Sequence, residues 1–246
     1  MKAMILAAGL GTRLRPWTLE HPKALVPVDG VPMLERVIGR LRENGFKELV
    51  VNIHHFGEQI IDFVKSKDFG VSVVISDERG KLLDTGGAIL HAENFLTLES
   101  GPVLVHNVDI LSDADLQRLM QAHLESGADS TLLVSRRDSS RKLIFDEDMF
   151  LRGWHNIRDG VYKPGGYSPS EGEEEYAFSG IHVVGAGLLE EMKRLETGDK
   201  FSIIEFLLDG RNRAKIKGHL QDNLKLIDIG KPATLSQANA IYNNQC

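Results

Sequence analysis

Apolar and polar positions along this chain fall into blocks whose period switches repeatedly between two and 3.6. Lys2–Leu6 is a short apolar run and predicts a strand. Pro32 suits the first position of a helix, with Leu34, Val37, Ile38 and Leu41 on one face and Gly45 as its stop. Glu48–Ile53 is β-branched and apolar, which predicts a buried strand. Ile60, Ile61 and Val64 give helical spacing over 58–65, a strand follows over 71–76, and 86–93 reads as a helix behind a Thr-Gly-Gly turn. A strand over 102–106 ends at Asn107-Val108-Asp109. Ser112 and Asp113 offer caps for a helix reaching about Ser126, and Ser130–Ser135 is strand again. Such alternation predicts βαβ crossovers, and so an α/β, Rossmann-like, mostly parallel sheet with helices on both faces.

The pattern breaks after Arg136. Residues 137–176 are polar, contain Gly and Pro, and close on an acidic run from Glu171 to Glu175 that reads as a solvated flap. Short apolar pieces at 143–145 and 149–151 predict hairpin strands, so a small β-rich lobe is expected here. Strand character returns at 178–184, followed by helices over 188–195 and 203–208, a late strand over 224–229, and a terminal helix opened by Pro232. There is no internal repeat and no long linker. A single domain is expected, in three parts: 1–136, 137–185 and 186–246.

With 246 residues and 42% hydrophobic content, the chain can bury one sizeable core, or a core with a smaller lobe. A net charge of −6 gives no global basic field, so no nucleic-acid partner is expected. Cys246 is the only cysteine, which excludes a disulfide framework or a cysteine metal cluster within one chain and fits a reducing compartment. The apolar stretch after Lys2 is too short for a signal-peptide core, and no run approaches the ~20 apolar residues that cross a bilayer. A cytoplasmic protein with no membrane partner is expected. Oligomeric state has no marker in the sequence.

The chemistry concentrates after the first strand, in Ala7-Ala8-Gly9-Leu10-Gly11-Thr12-Arg13-Leu14-Arg15-Pro16, with Lys23 and Pro27 close behind. Small residues let backbone approach a ligand, and the cations then meet negative charge, which points to polyphosphate. Unit charges ~4 Å apart interact by ~4 kcal/mol at an effective dielectric near 20, enough for two cations to decide binding. Gly9-x-Gly11 is not a dinucleotide fingerprint, because Leu14 stands where the third glycine belongs, and no Gly-x-x-x-x-Gly-Lys-Ser/Thr string occurs. A glycine turn with surface cations is the alternative for the loop alone. Asp109 and Asp228 both stand at strand ends, where open α/β sheets bind ligands; a turn or cap role is the alternative for each. Asp84-Thr85-Gly86-Gly87-Ala88 also reads as a capped helix N-terminus. His54 and His55 lack a third ligand at zinc-like spacing, His106 reads as packing, and Asp77-Glu78-Arg79 as a solvated loop, with the lining of a base pocket as the alternative. Glu205 faces either the cleft or a core edge.

The string from Leu6 to Leu14, followed by Pro16, Pro22-Lys23 and Pro27, resembles the signature of the sugar-1-phosphate nucleotidyltransferases. The resemblance runs over about residues 2–240 and implies the nucleotide-diphospho-sugar transferase type of α/β fold, with 137–185 as the sugar-binding lobe. It implies that a nucleoside triphosphate and a sugar 1-phosphate give a nucleotide sugar and pyrophosphate, with Mg2+ as cofactor. By that resemblance Leu6, Ala7, Ala8, Gly9, Gly11 and Thr12 bind the nucleotide. Arg13 holds the β- and γ-phosphates, and Lys23 neutralises the α-phosphate. Thr85, Gly86 and Gly87 border base and sugar, while Asn107, Ser179 and Gly180 meet the sugar phosphate. Asp109 and Asp228 are the metal ligands, and Lys163 is a further phosphate candidate. Val108 departs from the pattern, standing where Gly is usual and barring the closest backbone approach. The chain is most similar to the compact bacterial group of N-acetylmuramate-1-phosphate uridylyltransferase and mannose- or heptose-1-phosphate guanylyltransferases, with a tilt to the uridylyl member. A regulatory subunit that binds nucleotide or sugar phosphate without turnover is the rival of another class, and a dinucleotide-dependent oxidoreductase the second.

Overall fold

The computed structural model describes residues 1–97, 101–195 and 198–243; Cys246 lies outside them. Along the chain come β1 (Lys2–Leu6), the small hairpin β2 (Pro27–Val28) and β3 (Val31–Pro32), α1 (Met33–Glu43), β4 (Glu48–Ile53), α2 (Gly57–Lys65), β5 (Ser72–Asp77), α3 (Asp84–His91), α4 (Glu93–Leu96), β6 (Val103–Asn107), β7 (Ile110–Ser112), α5 (Leu116–Ser126) and β8 (Ser130–Ser135). After these follow β9 (Arg141–Phe145), β10 (Leu151–Asn156), β11 (Val161–Lys163), β12 (Glu174–Val184), α6 (Ala186–Arg194), α7 (Ile203–Leu207), β13 (Ile216–Leu220), β14 (Leu226–Asp228) and α8 (Pro232–Asn243).

Ala3 and Ile5 point to one face of the sheet and Met4 to the other, the period-two alternation of a strand covered on both sides. The first face packs on α1 and α5 through Leu34, Ile38, Leu41, Leu116 and Leu119; the second packs on α3, α6 and α7 through Ala88, Ile89, Leu188, Met192 and Phe206. β5, β4, β1 and β6 form a parallel block. β12 then pairs antiparallel with β6 on one side and β8 on the other, and β13 joins β8 in parallel. Because β12 is antiparallel to both neighbours, β8 runs in the direction of β6. The C-terminal ends of β1, β4, β6 and β8 therefore open at one edge.

The lobe is an extension of the same sheet. The start of β12 pairs with β9 through Glu174–Tyr176, and β10 and β11 continue outward from β9. β12 thus belongs to both parts, and it changes register with β8 between Phe178 and His182. Gly180 sits in that irregularity at φ +76, a left-handed conformation that favours glycine. An added Cβ there would also lie 2.8 Å from Nδ2 of Asn107.

Several details correct the expected elements. Asp115, not Ser112 or Asp113, caps α5, its side chain accepting from the Arg118 amide at 2.8 Å. Asp113 instead accepts from the Lys225 amide at 2.9 Å and so ties β7 to the approach to β14. The helix expected over 86–93 begins at Asp84 and stops at His91. Glu174 and Glu175 of the expected flap open β12, with Glu175 facing His155 at 2.8 Å and Glu173 accepting from Tyr167 at 2.5 Å. β13 had no apolar alternation to announce it: its Ile-Lys-Gly-His-Leu sequence is held by pairing with β8.

His106 and His182 are buried in this sheet, and burial pushes both imidazoles down to about 4. Among the described residues neither ring nitrogen of His182 has a hydrogen-bond partner. The unfolded chain, with an ordinary histidine pKa, takes up protons first as pH drops. The stability present above that ordinary value is therefore lost as pH falls toward 4. At about pH 5 one such histidine costs about 2 kcal/mol, or roughly 4–8 °C of melting temperature. A series of thermal melts from about pH 7 to about pH 5 is expected to show this fall, and a His182→Leu variant is expected to show a shallower one.

Candidate functional site

The register of β1 places the site. Leu6 lies between Asn52 of β4 and Asn107 of β6, so the loop leaving β1 is flanked by two asparagines. Asn52 accepts from the Ala7 amide at 2.6 Å, and the Leu6 carbonyl accepts from the Val108 amide at 3.1 Å. Ala7 and Ala8 are buried, while Gly9, Leu10 and Thr12 are exposed. Gly11 takes φ +62, and its carbonyl accepts from Thr18 Oγ1 at 2.9 Å. A side chain on Gly11 would press on Thr18 and Lys23, each 2.9 Å from the added Cβ. Leu14 drops into the core between exposed Arg13 and Arg15, so one apolar side chain pins the cationic turn.

Lys23, Asp109, Asp228 and Arg13 converge at this edge. The Lys23 ammonium forms an ion pair with Asp109, both side chains being largely buried. β14 pairs antiparallel with β7 so that Asp228 faces Ile110, and the Ile229 amide donates to the Asp109 carbonyl at 3.0 Å. The two aspartates are thus neighbours through backbone pairing, despite standing 119 positions apart in the chain. Asp228 accepts from the Gly230 amide at 2.7 Å, and Arg13 Nη2 lies 2.7 Å from where a Gly230 Cβ would stand. Arg13 and Asp228 face a common cleft of about 1360 Å³ that runs out between β12 and the lobe. Two carboxylates at a shared edge, beside guanidinium and ammonium, suit a triphosphate and a hard divalent ion that completes its shell with phosphate oxygens. Val108 turns its side chain into the core, and its amide is the one that donates to the Leu6 carbonyl.

The Nucleotidyl transferase family model matches residues 2–245. The chain belongs to this family. Over 110 residues it is 43% identical to N-acetylmuramate alpha-1-phosphate uridylyltransferase of Caulobacter vibrioides, which covers 44% of this chain and 45% of that protein. Over 145 residues it is 37% identical to probable mannose-1-phosphate guanylyltransferase 1 of Oryza sativa subsp. japonica, covering 58% of this chain and 40% of that one. The chain spans less than half the length of these curated relatives. Among solved structures, HddC from Yersinia pseudotuberculosis superposes with a TM-score of 0.77 over 98% of this chain and 99% of its own, at 24% identity, which shows the nucleotidyltransferase fold.

Within that fold the second glycine turn is not an open anion cradle. The amides of Gly86 and Gly87 donate to the Phe201 carbonyl at 3.0 and 3.3 Å, and Thr85 Oγ1 accepts from the Ile203 amide at 2.9 Å. The glycines here let the segment before α7 lie against the start of α3. Ser179 is fully buried, and its hydroxyl accepts from the Ile181 amide at 3.2 Å, inside the register change of β12. Asn107 and Gly180 touch one another at the cleft wall. Lys163 lies there too, paired with Glu205 at 3.1 Å, so Glu205 faces the cleft.

Asn52 and Arg137 escaped sequence reasoning, and Glu78 departs from the solvated loop favoured for it. Glu78 is not solvated: it is 3% exposed, accepts from Asn52 Nδ2 at 2.9 Å, and keeps its other oxygen buried without a partner among the described residues. Burial pushes its carboxyl up, against the pull of Asn52. Asn52 carried no motif; its signal is its place at the end of a parallel strand. Arg137, at the end of β8, donates to the Phe178 carbonyl at 2.7 Å and lines the cleft, with burial lowering its pKa and Asp228 opposing. Here too the strand end was the available signal.

An added Cβ on Gly87 would drive into the Asp199 carbonyl, whereas one on Gly80 would meet nothing. Gly87→Ala is expected to lower stability by about 1–3 kcal/mol, read from the urea midpoint, with Gly80→Ala staying near the parent.

Proposed function

We propose that this protein transfers a nucleotidyl group from a nucleoside triphosphate to a sugar 1-phosphate, giving a nucleotide sugar and pyrophosphate. The convergence of Arg13, the Lys23–Asp109 pair and Asp228 at one strand edge carries this reading. The substrates favoured are UTP and N-acetylmuramate 1-phosphate, the pair named by the Caulobacter vibrioides relative. The second reading is GTP with mannose or heptose 1-phosphate, supported by likeness to the rice guanylyltransferase. A binding subunit without turnover could lose Arg13, Lys23 or an aspartate; all four stand here, which favours transfer.

An oxygen of the sugar phosphate attacks the α-phosphorus in line. The new O–P bond forms as the bond from that phosphorus to the bridging oxygen of the pyrophosphate breaks. Such transfers depend on positioning and charge stabilisation. Arg13 holds the leaving pyrophosphate, and Lys23 faces the charge growing at the α-phosphate. Asn107 and Gly180 border the acceptor phosphate, while Ala7, Ala8 and the Asn52–Glu78 pair shape the base side. Mg2+ fits Asp109 and Asp228, where it would supply charge compensation to the phosphates. In the free protein Lys23 already neutralises Asp109, so this carboxylate is held in place before any ion binds.

Arg13→Gln and Asp109→Asn are each expected to reduce pyrophosphate release with UTP and N-acetylmuramate 1-phosphate at least about 100-fold. For Arg13→Gln the melting temperature should move by no more than about 2–4 °C, the shift from roughly 1 kcal/mol in a chain of this size, whereas Asp109→Asn takes the carboxylate from a largely buried ammonium and should lower it further while leaving a cooperative melt. Turnover near the parent rate in either variant would refute the assignment.

A further inference from the structure

Beyond the phosphates, the same cleft carries positive charge that they do not need. Its far wall is the hairpin of β9 and β10. Arg141 pairs with Asn156 and Lys142 with His155 across that hairpin, and the Ile157 amide donates to the Ser140 carbonyl at 2.9 Å. Arg158 therefore sits at the same end of the hairpin as Arg141, and Arg141, Lys142 and Arg158 all line the cleft. Trp154, half-buried on the same wall, pairs with Leu143 on one side and Lys163 on the other; the Lys163 ammonium lies over its ring at 5.4 Å from the centre, so a sugar ring would lie against the other face.

What marks these residues is their grouping on one wall of the cleft without carboxylate partners. Of the exposed arginines elsewhere, Arg79 holds Asp77 and Glu58, Arg118 Glu125, Arg136 Glu174, Arg152 Asp146, Arg194 Glu191 and Arg211 Asp209, while Arg15 and Arg213, both off the cleft, form no ion pair with a described carboxylate. Lys163 on the cleft wall is matched by Glu205, and Arg137 by a backbone carbonyl. Arg141, Lys142 and Arg158 form no ion pair with any described carboxylate, although Asp138 lines the same cleft. Acids are not scarce, since the chain has 35 Asp and Glu against 29 Lys and Arg. Arg13 and Lys231 stand with Asp228 on the triphosphate side and do not account for a second cationic cluster across the ring platform.

We infer that the acceptor sugar carries an acid group in addition to its 1-phosphate, and that Arg141 and Arg158 hold that group across the Trp154 platform. Guanidinium forks bind carboxylates in two parallel hydrogen bonds, and a neutral hexose would leave them unmatched. The inference rests on the nucleotidyl-transfer reading above and narrows its acceptor. The lactyl carboxylate of N-acetylmuramate is the instance to test.

The full chain is assayed in magnesium buffer with UTP and with GTP. The acceptors are N-acetylmuramate 1-phosphate, its methyl ester, N-acetylglucosamine 1-phosphate and mannose 1-phosphate. The acid is expected to exceed its ester and both neutral acceptors in kcat/KM at least about tenfold. In an Arg141→Gln, Arg158→Gln double variant the acid-to-ester ratio is expected to fall to within about threefold of one, mainly through KM for the acid. An Arg213→Gln variant, which removes an exposed arginine off the cleft, should keep the parent ratio and so account for net charge. Equal use of acid and ester, better use of a neutral acceptor, or a double variant with the parent ratio would each overturn the inference while leaving nucleotidyl transfer standing. Turnover with none of the acceptors under either nucleotide would overturn the transfer reading, and this inference with it.

Discussion

The site depends on the parallel register that sets Leu6 between Asn52 and Asn107. Parallel strands end together, so their last residues gather along one edge, where backbone amides and side chains are left unpaired by the sheet. The Ala7 amide has left the ladder and is taken by Asn52. The Leu6 carbonyl is taken by the Val108 amide just beyond the end of β6. These two bonds fix the loop after β1 before any cation is considered. Leu14 then anchors the turn in the core, and Arg13 has few places to point except along the edge. A slip of one residue in β1 would turn Ala3 and Ile5 from one helix layer to the other, so hydrophobic burial enforces the register that the site uses.

A reversed strand completes the edge. β12 runs against β6 and β8, which carries Arg137 to the same side as Asp109 and lets the far part of β12 lead out into the lobe. The register change at Ser179–Gly180 lies beside Asn107, so the joint between sheet and lobe is also a wall of the cleft. β14 has a comparable part. It is only three residues long, yet its pairing with β7 brings a carboxylate from late in the chain against one from the middle. The charges are balanced locally: Lys23 offsets Asp109 and Arg13 lies close to Asp228, so repulsion between the aspartates is relieved in the free protein.

Most of this was legible wherever a residue's role follows from local pattern. Lys2–Leu6, Glu48–Ile53 and Ser130–Ser135 read directly as strands because burial on both faces leaves unbroken apolar runs. Arg13, Lys23, Asp109 and Asp228 were found by motif, and the structure brings all four to one edge. What stayed hidden depends on contacts between distant segments. No local signal says that Glu78 is covered, because its burial comes from Asn52 and from packing behind β4. β13 has a glycine and a histidine where a strand former would be expected, and its conformation is imposed by β8. Asp115 won the cap of α5 over Ser112 because Ser112 is committed to pairing with Leu226.

The second glycine turn shows how a motif can be right in place and different in use. A helix N-terminus presents free amides, and small residues there invite an anion or a flat base. In this chain the Phe201 carbonyl already satisfies the Gly86 and Gly87 amides, and the Phe201 ring fills the space above Gly86 that a side chain would occupy. Both glycines are consequently required by packing, whatever else borders them. A nucleotide at this edge would meet the outer surface of that joint, where Asp84 and Lys81 are exposed, rather than the amides themselves. Lys81 in turn is paired with Asp199, two residues before Phe201. The segment before α7 is therefore tied to both ends of the turn, and α7 itself carries Glu205 to the wall of the cleft. The turn and the cleft wall are joined through one packed segment, so a change in how Phe201 seats on Gly86 would be felt at Glu205 and at the Lys163 that it holds.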